Sequence, residues 1–147
     1  MREILFRGKT FITKKMVTGT GILYDGTNTW IVNNEPPQAI AFGTEYHTVI
    51  PETIGQYTGL TDKNGKKIFE GDIVKCTDKF SDYEFIAVVM FGNPNGEYNW
   101  GFQLNRISGA NANTDILLWV EMEETGAFIE VIGNIHDNPE LLKECNR

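Results

Sequence analysis

The sequence predicts an all-β protein, a small SH3-like or related barrel extended by further β-hairpins and closed by a short C-terminal helix. Three observations predict this class. Apolar residues recur with a period of two rather than 3.6, glycine and asparagine fall between short β-branched or aromatic runs, and a capped helical pattern occurs only near the end. A chain of 147 residues, 41% hydrophobic and 12% aromatic, can bury one modest core, so a single domain over residues 1–147 is expected.

In chain order, Ile4, Phe6 and Phe11 open a series of short strands. Residues 22–24 and 30–32 flank a five-residue hairpin loop running from Asp25 to Thr29. Pro36 and Pro37 exclude a central strand there, and 39–42 and 46–50 add less regular strands before Pro51.

Residues 56–75, QYTGLTDKNGKKIFEGDIVK, write two strands, two glycine turns and the start of a third strand in one stretch. Residues 57–60 read as a short strand and 66–69 as its return. Asn64 and Gly65 supply the positive-φ positions of a tight hairpin turn, and Asp62 favours the turn by hydrogen-bonding the backbone ahead of it. Gly71 allows a left-handed or bulged residue, and Asp72 leads into Ile73 and Val74, whose β-branching suits a pleated surface.

Further on, the apolar run 85–91, a turn at 93–96 and residues 98–104 make an antiparallel pair. Residues 108–115 carry no large side chain and read as an exposed, mobile loop. The runs 116–122 and 128–135 then form a last hairpin across 123–126. At the end, Asn138 caps, Pro139 takes the first helical position and Glu140 suits the dipole, giving a short helix to about Glu144.

The segment 56–75 resembles the signature of the YopX family, in which QYTGL, DKNG and EGDIV elements recur. Residues 2–9, REILFRGK, resemble that family's opening strand, and 129–142, IEVIGNIHDNPELL, its closing strand and helix. The resemblance implies one family domain along the whole chain, in a small protein encoded by bacteriophages and prophages of Firmicutes. It implies no biochemical activity. Its motif residues are Tyr57, Gly59, Asp62, Asn64, Gly65, Glu70, Gly71 and Asp72, and their turn chemistry reads as structural.

Charge is unevenly spread. Residues 1–75 carry nine Lys and Arg against eight Asp and Glu, a net +1, whereas residues 76–147 carry four against twelve, a net −8. Arg2, Arg7, Lys9, Lys14 and Lys15 form a locally basic edge, read first as strand protection against edge-to-edge pairing and second as a nucleic-acid contact. No apolar stretch approaches the ~20 residues that span a bilayer, and the start carries no signal core, so no membrane partner and a cytoplasmic location are expected. Cys76 and Cys145 are too few for a disulfide framework or a zinc site; Cys76 reads as strand packing.

No catalytic, metal or cofactor site is expected. Asp62, Asn64, Glu70 and Asp72 bring oxygen side chains together, but an EF-hand needs glycine sixth and glutamate twelfth, and from Asp62 Gly65 falls fourth and Ile73 twelfth. His47 and His136 stand in no motif, His136 reading as a turn residue with local hydrogen bonds. Glu121, Glu123, Glu124 and Glu130 can pair across the last hairpin as in glycosidases, although a solvated outer face gives the same pattern. Tyr98, Trp100 and Phe102 alternate on one strand face; with Phe85 or Phe91 opposite they read as barrel core rather than a base-stacking platform, so that Trp100→Ala should unfold the protein.

The expected function is therefore that of a non-enzymatic phage accessory protein acting through protein contacts, its short strand edges favouring homo-oligomers. A second reading is a nucleic-acid-binding barrel using the five basic residues. A third is an acidic inhibitor that mimics nucleic acid toward a host enzyme.

Overall fold

The computed structural model of the protein describes residues 3–34, 44–93, 96, 100–110, 114–121 and 126–144. Arg2, the Pro36–Pro37 break with strand 39–42, Tyr98, Glu123, Glu124 and Cys145 lie outside them. The fold is all-β with a short C-terminal helix. The chain forms two compact units, Met1–Tyr57 and Thr58–Arg147.

In the first unit, β1 (Phe6–Lys9) pairs antiparallel with β2 (Met16–Gly19), and β3 (Gly21–Tyr24), β4 (Thr29–Asn34) and β5 (Thr44–Val49) form a three-stranded antiparallel sheet. The loop between β3 and β4 is one residue shorter than the sequence suggests, because Thr29 already pairs with Tyr24. Asp25 builds it: its carboxylate accepts the N–H groups of Thr27 at 2.8 Å and Asn28 at 2.7 Å. Those same donors, Asn28 foremost, hold the Asp25 carboxyl below its ordinary pKa. Ile31 and Val49 are the fully buried centre, and Gly8 lies against both, a Cβ there coming within 3.3 Å of Val49.

A short 3-10 turn, Pro51–Thr53, leads into β6 (Gly55–Thr61), which begins in the first unit and continues into the second. There it meets β7 (Lys67–Phe69). The second unit is built on an antiparallel sheet ordered β10-β9-β8-β11, with β8 at Asp72–Asp78, β9 at Tyr83–Gly92, β10 at Gly101–Gly109 and β11 at Ala127–Asn134. The predicted period of two is visible in its core. Val74 and Cys76 on β8, Phe85, Ala87 and Val89 on β9 and Ile129 on β11 are buried at alternate positions and share one face. Register shifts between Arg106 and Ser108 and between Val131 and Gly133 interrupt the outer ladders, a device that bends strands and curls a sheet.

One predicted strand is a helix. Residues 116–121 form α1 (Ile116–Glu121), not the first arm of a last hairpin, and β11 pairs instead with β8, Ile129 opposite Cys76. Ile116 and Trp119, three apart, are both buried in the core cluster, and Asp115 Oδ1 accepts the Leu117 N–H at 3.0 Å as an N-cap. Trp119 meets Phe85 edge-on at 5.2 Å between ring centres. The loop expected over 108–115 is also shorter, since Ser108 and Gly109 belong to β10.

The C-terminal helix α2 (Glu140–Glu144) follows Pro139 as expected. Asn138 serves it differently: its backbone C=O accepts the Leu141 N–H at 3.1 Å, while its side chain turns back to accept the Asn134 N–H at 3.2 Å. Gly133 makes room for that side chain, because a Cβ there would stand 2.6 Å from Asn138 Oδ1.

Candidate interaction surface

The signature hairpin between β6 and β7 is held from inside. The N–H of Gly65 reaches the Asp62 C=O at 3.0 Å, the N–H of Asp62 reaches the Lys66 C=O at 2.8 Å, and Gly65 sits at φ +79°. Gly65 is the residue with positive φ; Asn64 is not, so the turn is a three-residue loop ending in a glycine bulge rather than the two-residue turn expected. Asp62 is 7% exposed. Its Oδ1 accepts the N–H groups of Asn64 and Lys66, each at 2.9 Å, and its Oδ2 accepts that of Val131 on β11 at 3.0 Å. Lys63 strengthens the same contact, its N–H bonding the Ile129 C=O at 3.0 Å and its ammonium lying 3.4 Å from Glu130 and 4.4 Å above the Phe128 ring.

The remaining motif residues are equally architectural in their contacts. Tyr57 is buried and its N–H bonds the Leu5 C=O; Gly59 and Gly71 take φ of +87° and +91°. Gly71 links two strands, donating to Val89 and accepting from Ile135. Asp72, fully buried, accepts the Phe69 N–H at 2.8 Å, while Glu70 is half-buried in the turn between them.

The other candidate residues are not gathered by the fold. Arg7 is buried, Lys9 is half-buried, and Lys14 and Lys15 are exposed in the loop after β1, so the expected basic edge is not one exposed row. Arg7 is buried beside Gly8 in the middle of β1, which the charge count alone does not show. Glu130 pairs with Lys63, and Glu121 ends α1 rather than facing it across a hairpin. His47 lies 3.2 Å from Glu45, and the His136 N–H bonds the Asn134 side chain at 3.0 Å, the local turn contact expected of it. Burial pushes the Cys76 thiol far above its ordinary pKa and keeps it protonated.

The aromatic strand departs most from expectation. Trp100 is 74% exposed and Phe91 53%; Phe91 packs edge-on against Trp100 at 6.3 Å and against Phe102 at 5.2 Å. Phe102 lies on the expected face of β10, whereas Trp100 precedes the strand. Phe102 opposes Phe91 as Leu104 opposes Val89, and the latter pair is fully buried. What differs is coverage: Val89 and Leu104 belong to the core cluster with Ile68, Ile116 and Trp119, whereas Phe91 and Trp100 lie outside it. The aromatic cluster is thus the uncovered continuation of the core face, and Trp100 is not a core residue whose loss unfolds the protein.

Beside it lies a groove of about 490 Å³. Its walls are Thr58 and Leu60 of β6, Trp100 with the head of β10 from Gly101 to Gln103, and Thr114 and Asp115 with the start of α1 at Ile116 and Leu117. Leu117 is exposed on its rim, and among the lining residues Asp115 is the charged one. The arrangement offers apolar and aromatic area flanked by hydroxyls and one carboxylate, which suits binding more than chemistry.

The architecture is that of an all-β protein with a short C-terminal helix and a partly open aromatic face. The chain belongs to the YopX protein family, which matches residues 5–143. Among solved structures it is similar to protein EF1440 from Enterococcus faecalis, at 24% identity over 95% of this chain and 97% of that one, with a TM-score of 0.49. No curated protein matches it. No helix among the described residues is long and apolar enough to cross a membrane.

Proposed function

We propose that this protein is a non-enzymatic accessory protein of a phage or prophage, acting in the host cytoplasm, that binds a protein partner through the groove at the head of β10. The observation that carries the reading is the cluster Phe91–Trp100–Phe102, left outside the core on the same face that is buried at Leu104 and Val89. Rigid aromatic rings next to a groove are the side chains that most often dominate binding energy at protein interfaces. The nucleic-acid reading draws on the same rings as a stacking platform. Against it stand the Asp115 carboxylate in the groove wall and the net −8 of residues 76–147, both of which repel phosphate.

The test is a pull-down from host cells with the parent protein and a Trp100→Ser variant, after confirming that both unfold at the same urea midpoint. A protein retained by the parent and lost by the variant supports the reading. Nucleic acid retained without protein and released at high salt would replace it with the stacking alternative.

A further inference from the structure

We infer that the groove takes an extended peptide segment of the partner, apolar residues alternating with lysine or arginine, which adds to the sheet as a strand along β10; this rests on the binding reading above. β10 ends the sheet order β10-β9-β8-β11, so among the described residues one side of it carries no strand. The Leu104 N–H points to that side, where it bonds the Thr114 C=O at 3.2 Å. In an antiparallel ladder the outward-facing residues alternate. The register is unbroken from Gly101 to Arg106, so the N–H and C=O of Phe102 face outward as well, and Gly101, Phe102 and Gln103 line the groove. Next to the Thr114 contact, an edge carrying the main-chain donor and acceptor of Phe102 beside a cleft walled by aromatic rings and hydroxyls is the geometry of strand addition, in which the backbone supplies affinity and alternate side chains supply specificity.

Chemistry further restricts the occupant. A strand lying there turns every second side chain toward the Phe91–Trp100–Phe102 rings, which calls for apolar residues at those positions. Among the described residues the lining holds Asp115 and no basic side chain, and the surrounding half of the chain is strongly acidic, which calls for cations between them.

The experiment selects binders from a displayed library of short random peptides on the intact protein, with the Trp100→Ser variant as counter-selection. Amide exchange at Phe102 is then followed by NMR with an enriched peptide bound. The expected result is a shared apolar–basic alternation and Phe102 exchange slowed about tenfold or more, both lost when the peptide's central amides are N-methylated. Enriched peptides that shift the Trp100 indole signal but leave Phe102 exchange unchanged would overturn strand addition and leave the groove reading standing. No enrichment over the variant would overturn both. Phe102 protection that grows with protein concentration in the absence of peptide, with a dimer in sedimentation, would assign the edge to a second copy of this chain instead.

Discussion

At the tip of the β6–β7 hairpin both carboxylate oxygens of a buried aspartate meet backbone N–H groups, whereas at the head of β10 aromatic rings stand largely in solvent. Polar groups have gone inside and apolar ones have stayed out, each against the usual preference. The first inversion is stable because both buried carboxylate oxygens have donors, and the second arises because the rings lie outside the core cluster that buries Val89 and Leu104 on the same face. A conspicuous motif and a binding surface therefore answer to different physics. Turns need positive φ and local acceptors; surfaces need area that the rest of the chain leaves uncovered.

The comparison is sharpest between two tryptophans of the same unit. Trp119 on α1 is 2% exposed and packs on Phe85, so Trp119→Ala should cost about 3–5 kcal/mol in urea unfolding, as large as any effect considered. A loss below about 1 kcal/mol would mean that α1 is not part of the core. Asp62→Ala should come next. It strands three backbone donors, one of them on β11, and should cost about 3 kcal/mol. If Asp62→Ala leaves the urea midpoint unchanged, the hairpin tip does not hold β11. Gly65→Ala should cost about 1 kcal/mol from its φ of +79° alone, because an added Cβ meets nothing within 4 Å. Gly65→Asn, which tolerates that conformation, should recover part of the loss; equal losses for the two would point to a contact rather than to backbone strain.

The hairpin was legible because much of its chemistry is local: Asp62, Gly65 and Asp72 each make a bond within four residues of themselves, as turn residues do. The Val131 contact was not, lying 69 residues away in sequence. The run 116–121 was misread because six mostly apolar residues fit a buried strand and a buried helix equally, and only the Asp115 cap favours the helix. Of the candidate site, the face of Phe102 was legible from the period of two, but the exposure of the rings beside it was not. Exposure there depends on how far the core cluster with Ile68, Ile116 and Trp119 extends over the sheet face, a tertiary fact that no window of β10 contains.

The smallest effect on stability is expected where the functional effect is largest. Trp100 is 74% exposed and meets Phe91 edge-on, so Trp100→Ser should move unfolding by no more than about 0.5 kcal/mol. The same change removes the ring that walls the groove, and binding should fall at least tenfold in a titration with the partner, as for a central aromatic anchor. The two readouts must separate. A variant that unfolds early and binds weakly would return Trp100 to the core, and one that keeps both stability and affinity would move the binding surface away from β10. Phe85→Ala makes the reciprocal control: its ring is 1% exposed, so stability should fall by about 3–5 kcal/mol. The fraction that remains folded should keep an intact groove and bind as the parent does, since Phe85 is not among its walls.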